Sequence, residues 1–179
     1  MQSRFKPRKP PKPILIPMIY PIVFEPEPML HKVSTKLDKE TILKPETQKF
    51  ISDMVETMYA KDGVGLAAVQ VGKNIQICVI IKTYNTLNKK KDLCLINPEW
   101  TKLSPFKKWD EEGCLSVPGI YGKIKRYTKL KVKALDEKGQ PIEFIAEDFF
   151  ARIVQHEVDH LNGKLYIESA KDFYEYKKV

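Results

Sequence analysis

Histidine and cysteine are both scarce in this chain of 179 residues, with three of each. Cys78, Cys94 and Cys114 are too few and too scattered for a disulfide framework, which points to a reducing compartment. No apolar run approaches the length of a membrane span. There is no internal repeat, and no G-K-[ST] or G-x-G-x-x-G run of the kind that cradles phosphate. Acidic residues are missing before Glu25, where five basic residues stand among prolines. That stretch lacks the apolar segment of a signal peptide, and its prolines forbid an amphipathic transit helix. Residues 1–13 are expected to form a disordered basic arm, and 14–179 one domain. The net charge of +8 leaves a polyanion such as RNA open as a neighbour, but charge alone establishes no nucleic-acid function.

Hydrophobic patterning then places the elements. Residues 14–24 are apolar and β-branched but carry Pro17 and Pro21, so a strand there is irregular or at an edge. Phe50, Ile51, Met54, Val55 and Met58 recur at helical spacing between Pro45 and Ala60. The runs 74–82 and 92–100 read as strands joined by a lysine-rich hairpin tip. In 129–135 Leu130, Val132 and Ala134 alternate with lysines, a strand with one wet face, followed by a second strand over 141–146. The last clear helix is expected from about Asp148, which can cap it, to Leu161, with Gly163 just past its end. The fold class is α+β, with mostly antiparallel strands packed around this central helix.

That helix carries "HEVDH", residues 156–160. His156 and His160, four apart, project from one face and can share a metal ion, with Glu157 placed to hold a proton. The longer x-x-G-x-x-H continuation of one class of zinc proteases fails here, because Tyr166 stands where the third histidine belongs. His31 reads as a loop residue, and only Glu168, Asp172 and Glu175 offer carboxylates downstream. Two histidines hydrogen-bonded in a core would read the same way. Upstream, "EEGCLSVPG" (111–119) sets Cys114 among turn residues, whereas Cys78 and Cys94 sit in apolar strands. Cys114 is the natural third ligand, and a buried turn cysteine is the plainer alternative. "GVGLAAVQVG" (63–72) places Gln70 in apolar company, where a side-chain amide needs partners and could donate to an oxyanion.

"GVGLAAVQ", "EEGCLSVP" and "QHEVDHLNG", in this order, resemble the three signature motifs of the peptide deformylases, and the resemblance runs from about Pro26 to Ile167. It implies removal of the formyl group from the N-terminal formylmethionine of nascent polypeptides, with release of formate. By similarity, Cys114, His156 and His160 bind one divalent metal, Fe²⁺ in the cell and Zn²⁺, Ni²⁺ or Co²⁺ in preparations. Glu157 would be the acid-base residue; the Gln70 amide and the Leu115 N–H would stabilise the oxyanion. The resemblance also implies a peptide bound as an added strand near Val64, Gly65 and Gly113, and a methionine pocket near Val64, Ile153 and His156. Tyr121 would stand at the site mouth, and Glu112, Arg126 and Asp159 would support the cysteine loop. A monomer in the bacterial cytoplasm, or in an organelle of bacterial origin, is expected, with the basic surface available to the ribosome. The short stretch after Tyr166 leaves little room for a ribosome-seeking extension. A zinc peptidase and a silent nascent-chain or RNA-binding protein are the competing readings.

Overall fold

The computed structural model describes residues 17–176, so the basic arm expected over 1–13 lies outside the described residues. In chain order the elements are α1 (Lys39–Leu43), α2 (Pro45–Ala60), β1 (Gly65–Ala67), β2 (Ile77–Ile80), β3 (Leu93–Lys102), β4 (Lys107–Cys114), β5 (Val117–Tyr127), β6 (Lys129–Leu135), β7 (Pro141–Glu147), α3 (Asp148–Leu161) and β8 (Lys171–Glu175). Every pairing between these strands is antiparallel. They form a five-stranded sheet, ordered β1-β2-β3-β6-β7, and a three-stranded sheet, ordered β4-β5-β8.

The five-stranded sheet is covered on both faces where β2 crosses it. Ile77 and Val79 face the cluster built by Phe50, Met54 and Met58 of α2. Cys78 and Ile80 face the cluster built by Phe150, Val154 and Leu161 of α3. A strand buried on both faces has no polar alternation, which accounts for the unbroken "ICVI". Strand β6 is one-sided: Leu130, Val132 and Ala134 enter the core, and the lysines point outward. Lys129 and Lys131 pair with Glu147 and Glu143, each at 2.7 Å, so this row is a solvated surface.

The expected α2 and α3 form over the spans that their periodicity predicts, and the strands predicted over 74–82, 92–100, 129–135 and 141–146 overlap β2, β3, β6 and β7, with β3 running on to Lys102 and β7 to Glu147. Three local expectations change. Asp148 does not cap α3; Glu147 holds the cap position without a side-chain bond, and Asp148 begins the helix with φ of 49°. Residues 17–24 form no strand, but backbone N–H groups there bind the Thr57 hydroxyl, the Gln70 carbonyl and, from Glu25, the Ser116 carbonyl. The segment 111–119 is largely strand: β4 runs to Cys114 and β5 starts at Val117, leaving Leu115 and Ser116 as the turn. Charged residues and glycine hide that hairpin because β4 is solvated along most of its length. Helix α1, capped by the Asp38 carboxylate on the Thr41 N–H at 2.7 Å, is too short for its periodicity to show.

Gly163 follows α3 at φ 70°, and a Cβ there would lie 2.6 Å from the His31 carbonyl oxygen. Backbone conformation and a backbone neighbour therefore both reject a side chain. Gly163→Ala is expected to lower stability by on the order of 2 kcal/mol, read as a lower urea midpoint at unchanged m value.

Candidate active site

The hairpin β4–β5 and helix α3 bring the three motifs to one place. Cys114 ends β4 at a register shift between Gly113 and Cys114, which turns its side chain toward α3. Its sulfur lies 3.1 Å from His160 Nε2, and the ligand atoms of Cys114, His156 and His160 all lie within 4.8 Å of one another. The two imidazole rings cross nearly at right angles, with centroids 4.8 Å apart. Gln70 sits in a 3₁₀ turn, Ala68–Val71, directly after β1, and is buried. Its Oε1 accepts from the Ala67 N–H at 2.9 Å; its Nε2 reaches Ser116 Oγ at 3.2 Å and Cys114 Sγ at 3.4 Å. The amide is thereby oriented with its donor end toward the cysteine turn.

One carboxylate supports the cluster from behind. Glu112, two residues before Cys114 and on the same face of β4, is 7% exposed. It receives the Arg126 guanidinium on both oxygens at 3.0 Å, Arg152 Nη1 at 2.7 Å and His156 Nδ1 at 2.9 Å. Arg126 also reaches Asp159. Burial opposes ionisation of Glu112, but the hydrogen bonds from His156 and Arg126 outweigh it and hold the carboxyl at about 2. With Nδ1 engaged, His156 turns Nε2 toward the thiol. The Glu112–Arg126–Asp159 support expected from sequence is present. Arg152 is an addition to it, signalled only by a cation one helical turn before His156 on a buried face.

The electrostatics favour a charged ligand set. Burial alone would keep the Cys114 thiol protonated, yet the flanking imidazoles of His160 and His156 bring it well below the ordinary thiol range. Burial drives Glu157 up to about 7, against the opposing pull of both imidazoles. Two buried polar atoms, Glu157 Oε2 and His160 Nδ1, have no hydrogen-bond partner among the described residues. A thiolate, two imidazoles and a carboxylate oxygen gathered in one dry place are costly to bury without a cation. The donor set therefore fits a divalent metal, held by Cys114, His156 and His160.

The cluster opens onto a cleft of about 770 Å³. Val64, Gly65, Gln70, Gly113, Leu115, Tyr121, Ile153, His156 and Glu157 all line it, so the substrate-binding and catalytic positions expected from sequence come together. His160 lies beneath, 1% exposed. The downstream acids do not join the site: Glu168 accepts from the Leu165 N–H, and Asp172 and Glu175 belong to β8. Tyr166 donates its hydroxyl to the Ile120 carbonyl at 2.8 Å, which rules it out as a stand-in for the missing histidine. No sequence signal marks Ser116, which helps to hold Gln70, or Tyr174 of β8 and Tyr176 just past it, which line the cleft.

Fold and site together point to the class of metal-dependent hydrolases, with two histidines of one helix and a cysteine from a neighbouring strand able to hold an ion. Comparison with known proteins narrows this. The family profile for polypeptide deformylase matches residues 19–175. The peptide deformylase of Acinetobacter baumannii is 40% identical over 152 residues, covering 84% of this chain and 82% of that protein. That of Fusobacterium nucleatum is 44% identical over 151 residues, covering 84% and 83%. The crystal structure of the Thermotoga maritima peptide deformylase superposes with a TM-score of 0.78 at 37% identity, over 86% of this chain and 99% of that one. An Acinetobacter baumannii structure bound to Met-Ala-Ser gives 0.79 at 32% identity, over 86% and 99%. The chain belongs to the polypeptide deformylase family, hydrolases that remove the N-formyl group from nascent polypeptides.

Gly65 is required by the geometry of Glu157. A Cβ at residue 65 would lie 2.3 Å from Glu157 Oε1 and 2.8 Å from its carboxyl carbon. Gly65→Ala should swing the carboxylate out of place and lower kcat on the order of 100-fold. The thermal midpoint should change little, because only a side-chain terminus has to move. Steady-state kinetics beside a melting curve checks both.

Proposed function

We propose that the Cys114–His156–His160 cluster is the metal centre of this deformylase, with Glu157, Gln70 and the Leu115 N–H as its working groups. The convergence of the three ligand atoms beside a buried carboxylate and an oriented amide carries this reading. When bound, the ion lowers the pKa of water and polarises a carbonyl, which is the chemistry a formamide needs. The chain supplies the rest. Glu157, raised to about 7, is matched to taking a proton from the attacking water and returning it to the departing amine nitrogen. Gln70 Nε2 and the backbone N–H of Leu115 donate to the formyl oxygen as charge gathers on it. Glu112 keeps His156 in one tautomer and orientation.

The formylated peptide binds as an extended strand along Val64 and Gly65 on one side and Gly113 on the other. β1 is the outermost strand of its sheet, and these residues border the cleft, which supports that placement. Ile153, Val64 and His156 would receive the methionine side chain. Such backbone pairing tolerates any downstream sequence, as an enzyme of nascent chains must. Fe²⁺ is the ion proposed in the cell; one thiolate and two imidazoles accept it, as they do Zn²⁺, Ni²⁺ and Co²⁺. The chain acts as a monomer in the bacterial cytoplasm, with transient ribosome contact supported by its charge of +8. No helix among the described residues is long and apolar enough to cross a membrane.

Formate release from formyl-Met-Ala-Ser, with protein purified without oxygen and loaded with Fe²⁺ or Ni²⁺, tests the assignment. Glu157→Ala is expected to abolish turnover while retaining one metal per chain. Gln70→Leu should lower kcat on the order of 100- to 1000-fold. Absence of formate from folded, metal-loaded wild type would refute the reading. Glu112→Gln should weaken metal binding by roughly 10- to 100-fold, measured by competition with a chelator.

A further inference from the structure

The Gln70 amide and the Leu115 N–H come from separate turns, yet both must reach one oxygen atom. The glutamine lies in the 3₁₀ turn after β1, and the leucine in the turn between β4 and β5. A side-chain contact joins these turns: Gln70 Nε2 donates to Ser116 Oγ at 3.2 Å, with Gln70 2% exposed and Ser116 fully buried. Both backbones are fixed around that contact. The Val23 N–H donates to the Gln70 carbonyl at 2.8 Å, and the Glu25 N–H donates to the Ser116 carbonyl at 3.0 Å. Val23 and Glu25 are two residues apart, so a single short segment grips both turns. Gln70, Cys114, Leu115 and Val117 line the cleft, and Ser116 is not among the lining residues. Its hydroxyl faces Gln70 from behind the cleft wall.

A glutamine amide turns about a broad terminal torsion, so one anchor does not fix its nitrogen. The first anchor here is Oε1, which accepts from the Ala67 N–H at 2.9 Å. That bond decides which end of the amide is the donor, but leaves Nε2 free to swing. Ser116 Oγ supplies the second anchor by taking one of the two Nε2 hydrogens. The other hydrogen is left for the site, where Cys114 Sγ lies 3.4 Å from Nε2. We propose that Ser116 is a positioning residue of the reaction, its hydroxyl locking the Gln70 amide so that the second Nε2–H and the Leu115 N–H meet at the formyl oxygen. Ser116 touches no reacting atom and works through the glutamine. Because it directly follows Leu115, the same bond sets the spacing of the two oxyanion donors. The proposal rests on the deformylase reading and deepens its oxyanion site.

The test is a double-mutant cycle on the metal-loaded enzyme: wild type, Ser116→Ala, Gln70→Leu and the pair together, with formyl-Met-Ala-Ser as substrate. Ser116→Ala should lower kcat roughly tenfold at nearly unchanged KM, the cost of a misplaced donor. In the Gln70→Leu background the same change should alter kcat by less than about twofold, because no amide is left to position. Calorimetry of the product Met-Ala-Ser, which lacks the formyl oxygen, should give equal affinities for wild type and Ser116→Ala. Amide NMR of the Zn²⁺-loaded protein reads the lock without turnover. The two Gln70 side-chain protons, identified by their loss in Gln70→Leu, should exchange with solvent at clearly different rates in the wild type and at similar rates in Ser116→Ala. Ser116→Gly removes the same hydroxyl and carries the cycle if the alanine variant does not fold. A loss of kcat that is equally large with and without Gln70 would make Ser116 merely structural and overturn the proposal. So would an unchanged kcat in Ser116→Ala. No formate from the loaded wild type would instead overturn the deformylase reading beneath it.

Discussion

The buried Glu112 carboxylate is the hinge on which the site is assembled. It takes four hydrogen bonds, two from Arg126, one from Arg152 and one from His156. These donors come from β5 and α3, so one residue of β4 joins the strand hairpin to the histidine helix. A carboxylate this deep is tolerable only because it is fully engaged, and removal of one partner would leave charge in a low-dielectric place. Cys114 lies two residues further along the same strand face. Tying Glu112 to α3 therefore carries the thiol to the histidines.

The same helix also depends on packing from the opposite side. Phe150, Val154 and Leu161 of α3 meet β2 and β6, while its polar face meets the hairpin of the second sheet. The helix is thus fixed between two sheets, and the positions of His156, Glu157 and His160 follow from it. Close approach of β1 completes the arrangement: Glu157 presses against Gly65, and Gln70 follows directly from that strand. The irregular segment ending at Glu25 adds backbone bonds from Val23 to the Gln70 carbonyl and from Glu25 to the Ser116 carbonyl, tying the glutamine turn to the cysteine turn. Function here is carried by short turns held by rigid elements on every side.

Much of this was legible in the residues. The apolar periodicity of α2 and α3 and the alternation of β6 are direct records of which faces are buried. The histidine pair four apart on a helix is local geometry, legible without tertiary information. The hairpin carrying Cys114 was not, because β4 is a solvated strand of lysines and acids whose register is set by its partner. Asp148 has the residue type of a cap, but here the chain enters α3 directly from β7, which puts Asp148 inside the helix and Glu147 at the cap. Arg152 leaves no local signal of its role, because that role depends on a carboxylate 40 positions away.

The residues alone name the chemical groups and the two that share a helix turn, because spacing along a helix is fixed by backbone geometry. They also mark which strands are buried, since burial leaves its pattern in hydrophobicity. Packing of distant elements brings Cys114 to those histidines, makes room for Glu157 at Gly65, and sets Tyr174 and Tyr176 at the cleft. Those contacts join segments tens of residues apart, and their energies come from pairing, stacking and charge satisfaction between elements. No local pattern encodes them, because each depends on where another element has already packed.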